Sequence, residues 1–127
     1  MERVHGIGGV FFRARDPEAL ARWYQDHLGV ALTPRDYEQR PWWPEGGPTA
    51  FQPFAADTEY FGKAEQAWMV NFRVRNLGAM VKQLEAAAIT VTVDPIEYPN
   101  GKFARLQDPE GNPVELWEPR GSHGLPG

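Results

Sequence analysis

Residues 103–119 read FARLQDPEGNPVELWEP, and their reading decides the fold. Asp108, Pro109, Glu110, Gly111 and Asn112 are turn residues: proline presets φ, glycine and asparagine tolerate positive φ, and aspartate can bond back to its own backbone. The segment is therefore predicted as a β-hairpin. Beyond the turn, Val114 and Leu116 alternate with Glu115 and Trp117, so a strand puts the aliphatics on one face and the carboxylate and indole on the other. With Gln107 opposite Pro113, Arg105 falls opposite Glu115. A contact between these two side chains is expected, because a partly buried carboxylate without a partner is costly.

Working back from the hairpin, WMVNFRVR at 68–75 alternates Val70, Phe72 and Val74 with Met69, Asn71, Arg73 and Arg75, the period of a half-buried strand. Asn76 then suits a helix N-cap, Leu77, Met80, Val81 and Leu84 form an apolar helical stripe, Ile89–Val93 reads as a strand, and Asn100-Gly101 is a hairpin signal. The same grammar occurs sixty residues earlier. Val10, Phe12, Arg13, Arg15 and Ala19 align with Val70, Phe72, Arg73, Arg75 and Ala79, and cap Asp16 falls on cap Asn76. Gly6–Arg15 reads as a strand, and Asp16-Pro17 opens a helix carrying Leu20, Trp23, Tyr24, His27 and Leu28 until Gly29 ends it. Val30–Thr33 and Thr49–Phe54 read as further strands. The chain is thus an internal duplication of a β-α-β-β-β unit. It is read as a single domain over 1–121, with module one at 6–56, a linker at 57–66, module two at 67–119 and a loose tail at 122–127.

Composition narrows the function. With 127 residues, one domain is expected, and 12 prolines with 13 glycines imply short elements and frequent turns. Without cysteine there is no disulfide, thiolate metal site or cysteine nucleophile. A net charge of −4 without a basic run speaks against nucleic acid and anionic membranes. No stretch has the length of a membrane span, and MERVHGIGG lacks the pattern of a signal peptide, so a cytoplasmic, soluble protein is expected. The glycines at 6, 8 and 9 precede a strand instead of following one, unlike a dinucleotide-binding loop. Small molecules and a second copy of the chain remain as partners.

A duplicated βαβββ unit with Asp-Pro, a helix and Leu-Gly in its first half and DPEGNPVEL near its end resembles the vicinal oxygen chelate superfamily, which holds glyoxalase I, bleomycin-resistance and extradiol dioxygenase relatives. The likeness covers residues 6–119. It implies an α+β fold in which two βαβββ modules form curled mixed sheets around a concave cavity, with helices outside, in a homodimer. Metal-dependent members take ligands from four equivalent strand positions. Here the resemblance puts those positions at Gly9, Met69, Glu115 and, by the match of the 44–51 turn to 109–116, Ala50. Only Glu115 can bind a hard cation, so no metal and no other cofactor is expected, and Glu115 would be a ligand only if a metal were present.

Strand parity predicts a cavity lined by Phe11, Arg13, Met69, Asn71, Arg73, Arg105, Glu115 and Trp117, with Ala50 at the vacated ligand position. Adjacent Trp42 and Trp43 must point opposite ways on an extended segment, so one of them, taken as Trp43, is a pocket-wall candidate. Tyr60 and Phe61 in the linker need burial against a pocket rim or a second subunit. His27 belongs to a helix, His123 to the tail, and His5 lies too far along the first strand to join a metal set. The expected function is metal-free binding of a small, flat or aromatic molecule, with the acidic balance favouring a cationic one. The alternatives are a lyase, isomerase or dioxygenase-like enzyme with Glu115 as general base or metal ligand, and a dimeric domain with a filled core.

Overall fold

The computed structural model describes residues 1–121; the expected tail at 122–127, with His123, lies outside the described residues. Helix α1 spans Pro17–Leu28. It starts where the Asp16 carboxylate accepts the Ala19 N–H at 3.2 Å and stops at Gly29, whose φ of 72° is left-handed. Strand β1 (Val70–Arg73) leads into α2 (Leu77–Ala86), opened by the Asn76 side chain accepting from Ala79 N–H at 2.9 Å. The two caps, sixty residues apart, do the same thing at equivalent positions. Strands β2 (Thr92–Val93), β3 (Gly101–Gln107) and β4 (Pro113–Pro119) complete a sheet of order β1-β4-β3-β2. β1 runs parallel to β4, and the other pairs are antiparallel. The architecture is α+β: a mixed, curled four-stranded sheet with two helices.

The alternation read from the last hairpin sorts its faces. Ala104, Leu106, Val114 and Leu116 point to one side, where they meet Leu20 and Tyr24 of α1 and Leu77, Val81 and Leu84 of α2 in one core. Leu84, Val114 and Leu116 are completely buried. The helix of the first half therefore packs on the sheet of the second. The hairpin turn is what holds it: Glu110 accepts the backbone N–H groups of Arg15 and Asp16 at 2.6 and 3.0 Å, and the Tyr24 hydroxyl donates to Asp108 at 2.7 Å.

The strands expected at 6–15, 30–33 and 49–54 form no ladders among the described residues. Phe11 is 94% exposed and Phe51 86%. Alternation marks a segment able to lie on a sheet, but the ladder needs a neighbouring edge to supply the opposite hydrogen bonds. Gly6, Gly8 and Gly9 weaken the first segment, Pro34 ends the second, and Pro48 and Pro53 precede and interrupt the third. The strand expected at 89–93 shortens to Thr92–Val93 for the same reason, since β3 pairs only with its end.

One stability device follows from β4. Glu118 accepts the Leu77 N–H at the start of α2 (2.9 Å), and that bond, more than its contact with Arg120, holds its carboxyl below the ordinary glutamate value. A depressed folded-state value stabilises above the unfolded pKa, and the contribution disappears as pH falls through the folded one. Glu118→Gln is expected to cost about 1 kcal/mol at neutral pH and nothing once the wild-type carboxyl is protonated. Urea unfolding at pH 7 and pH 3 checks this; an equal loss at both would contradict it.

Candidate functional site

The second face of the sheet carries the polar groups. Direct pairing places Asn71, Glu115, Arg105 and Thr92 in one row across β1, β4, β3 and β2. The register expected for Arg105 and Glu115 is the one observed, but their side chains take other partners. Glu115 is buried; its Oε1 accepts from Asn71 Nδ2 at 2.7 Å and its Oε2 from the Tyr60 hydroxyl. The Arg105 guanidinium instead lies over the Tyr60 ring, 4.5 Å from its centroid. The reason is the linker. It runs back over the sheet and inserts Tyr60 between the two, where one phenol satisfies the carboxylate through its hydroxyl and the cation through its ring. Burial first, and then the hydrogen bond to Glu115, push the Tyr60 hydroxyl up to about 12, so it stays protonated and remains a donor. Phe54 stacks on Tyr60 at 5.7 Å and touches Phe61 at 5.0 Å, extending the linker's aromatic cover.

Beside this network lies a cavity of about 670 Å³, within the range of small-molecule sites. Thr92, Arg105 and Gln107 form its strand wall, with Thr90 beside them; Phe61 faces them from the linker, and Trp23 of α1 closes the end near the 108–112 turn. Arg105 joins the cavity to the Glu115 network. Glu115 itself does not line it, since Tyr60 covers the carboxylate.

The other predicted residues fall in several places. Arg73 is spent on structure: its guanidinium donates to the carbonyls of Pro48 (2.7 Å) and Glu45 (2.6 Å) and to the Thr49 hydroxyl (3.0 Å), tying the 44–49 turn to β1. Trp117 lies parallel to Phe103 at 6.2 Å and donates its indole N–H to the Asn100 carbonyl at 2.9 Å. Met69 is half-buried just before β1. Arg13 borders a smaller depression with Arg15, Glu110 and Asn112 at the start of α1. Phe11 and Ala50 are exposed, and Trp43, 72% exposed, has the Arg40 guanidinium 5.1 Å from its ring centroid. So Asn71, Arg105 and Glu115 are brought together, while Phe11, Arg13, Trp43 and Ala50 are not part of that cluster.

Tyr60, Trp23, Thr92 and Gln107 were not among the site residues read from the sequence. Tyr60 had a signal, an aromatic in a polar connection; Trp23 is one of the residues recurring along the first helix, and in the structure it packs edge-on against Tyr24 at 5.0 Å while lining the cavity.

The superfamily's metal chemistry needs a converging donor set. Among the described residues no three His, Asp or Glu side chains are grouped to hold an ion, and both oxygens of Glu115 already accept hydrogen bonds. The residues present do not fit a catalytic divalent ion. No helix of the described residues is long and apolar enough to cross a membrane.

Comparison with known proteins places these features. The sequence profile of a family described as a glyoxalase-like domain matches residues 9–117. No curated protein matches. Among solved structures, a glyoxylase/bleomycin resistance protein/dioxygenase domain from Frankia sp. EAN1pec is 17% identical, covering 93% of this chain and all of its own at a TM-score of 0.59. Lactoylglutathione lyase from Agrobacterium tumefaciens is 20% identical over 91% of this chain and 95% of its own, with a TM-score of 0.58. TnmS3, an antibiotic binding protein from Streptomyces sp. CB03234, is 19% identical over 82% and 87%, with a TM-score of 0.51. At these identities the likeness is one of fold.

Proposed function

Since this chain belongs to the glyoxalase-like domain family, we propose that it is a metal-free binder of a small, flat molecule, held in the cavity between the linker and the polar sheet face. The observation that carries this reading is the state of Glu115. The family's carboxylate position is filled, yet both its oxygens accept hydrogen bonds, from Tyr60 and Asn71, and among the described residues it belongs to no group of three acidic or histidine side chains that could hold an ion. A general base needs a free, accessible oxygen, and this one is covered; a binder needs concave volume, aromatic walls and a few oriented polar groups, which Trp23, Phe61, Thr92, Arg105 and Gln107 supply. TnmS3, which shares the fold, is an antibiotic binding protein. Native mass spectrometry of protein from its own host, with elemental analysis of the same sample, tests the reading. The expected result is a retained organic mass and no stoichiometric metal. Stoichiometric Zn, Ni, Mn or Fe that is lost in Glu115→Gln would overturn it.

The same reading includes a homodimer. Phe11, Trp43 and Phe51 are exposed on segments outside the sheet, and β1 is bonded on one side only among the described residues. Apolar surface beside an open strand edge is what a second copy covers by adding strands. Sedimentation at micromolar concentration is expected to give twice the 14.4 kDa chain mass; a single 14.4 kDa species would contradict it.

A further inference from the structure

Building on the small-molecule reading above, we propose that the ligand is an anion, a flat molecule bearing a carboxylate or similar planar oxyanion, and that Arg105 is the side chain that holds it. The inference comes from counting which charged groups around the cavity still have bonds to give. Asp108 lines the cavity, but its two oxygens accept from Glu110 N–H, Asn112 N–H, Asn112 Nδ2 and the Tyr24 hydroxyl. Glu115, one strand away, is occupied by Tyr60 and Asn71. Asp108 has its acceptor sites filled and Glu115 does not line the cavity, so neither carboxylate is placed to receive a cationic ligand.

Arg105 is the opposite case. It is half-buried in the cavity wall, and among the described residues its guanidinium makes no hydrogen bond or ion pair; its partner is the Tyr60 ring. A ring contact orients the cation without using an acceptor, so the N–H donors remain free, and a forked, planar guanidinium matches a planar oxyanion with two parallel bonds. Thr92 and Gln107 stand on the same face within the cavity and add neutral polar contacts, while Trp23 and Phe61 suit a flat body attached to the anionic group. The net charge of −4 opposes an anion at long range. That effect is screened beyond about 8 Å at physiological ionic strength, whereas a direct contact with the half-buried Arg105 is screened much less. The acidic composition pointed to a cationic ligand; the local arrangement points the other way.

Calorimetric titration of the full chain with three probes of one shape tests this: 2-naphthoate, neutral 2-naphthamide and 2-naphthylmethylammonium. Naphthoate is expected to bind about tenfold tighter than naphthamide, with the ammonium weakest, the size of effect that one charge-assisted pair contributes. Arg105→Met should abolish the preference for naphthoate while naphthamide still binds, and Arg105→Lys should keep only part of it, because the charge remains but the fork is lost. Equal binding of naphthoate and naphthamide, or best binding of the ammonium, overturns the anion assignment and leaves the binding reading standing. Binding of none of the three overturns both. An unchanged preference in Arg105→Met removes Arg105 from the role. Should Arg105→Met fail to fold, the wild-type ranking of the probes and the lysine variant decide.

Discussion

Replacing Asp108 by alanine is expected to lower stability by about 4 kcal/mol, as much as deleting a large core side chain. Asp108 is 4% exposed and accepts four hydrogen bonds. Two come from backbone N–H groups of its own turn, Glu110 at 2.9 Å and Asn112 at 3.0 Å, and two from side chains, Tyr24 and Asn112, both at 2.7 Å. Alanine leaves all four donors without their acceptor, and a buried donor left unpaired forfeits its full desolvation cost. The Tyr24 hydroxyl does not relieve this by ionising, because burial, the largest cause of its raised pKa, persists when Asp108 is gone. Asp108→Asn is expected to be almost as harmful, since its amide turns donors toward donors. Tyr24→Phe removes one bond and one partner together and should cost only about 1 kcal/mol. Urea unfolding of the three variants measures the series; a loss under 1 kcal/mol for Asp108→Ala would show that water replaces the carboxylate. The same change should reduce ligand binding, because the turn anchors α1 and α1 carries the Trp23 wall of the cavity.

Gly101→Ala is expected to cost about 3 kcal/mol or more, and for two reasons that can be separated. Gly101 opens β3 at φ 140°, outside the range of L side chains, and a Cβ there would run into the Glu118 carbonyl and come within 2.7 Å of the Trp117 indole nitrogen. The obstacle is largely backbone, which cannot swing away. Gly111 is the control: its φ of 82° is also positive, but a Cβ there meets nothing within 4 Å. Gly111→Ala should therefore lose only about 1 kcal/mol, the conformational part. Near-UV circular dichroism adds a second readout, since the crowded Cβ displaces the Trp117 indole from the Asn100 carbonyl. Equal losses at the two glycines would mean that the close approach at Gly101 relaxes freely.

Much of the second half was legible from residue order alone, because its determinants are local. The helix caps at Asp16 and Asn76, the stop at Gly29 and the turn at 108–112 depend on residues within about four positions of one another, and side-chain chemistry at those spacings has few outcomes. The register of the last hairpin followed as well, since the turn length sets the pairing and a one-residue slip would have exposed Val114 and Leu116. Alternation also identified the face on which Asn71, Arg105 and Glu115 meet.

What only the tertiary structure decided is where distant segments arrive. The pieces at 6–15, 30–33 and 49–54 carry strand-like patterns but form no ladder among the described residues, because a ladder is a property of two edges and pattern describes one. Arg73 read as a cavity residue and is bound instead to a turn 24 to 28 residues away. Arg105 and Glu115 stood opposite each other as expected, yet Tyr60, 55 residues from Glu115, came between them. Spacing fixes a side chain's direction, but its partner is chosen by whichever long-range group reaches it first with the better bond, and chain order does not encode that competition.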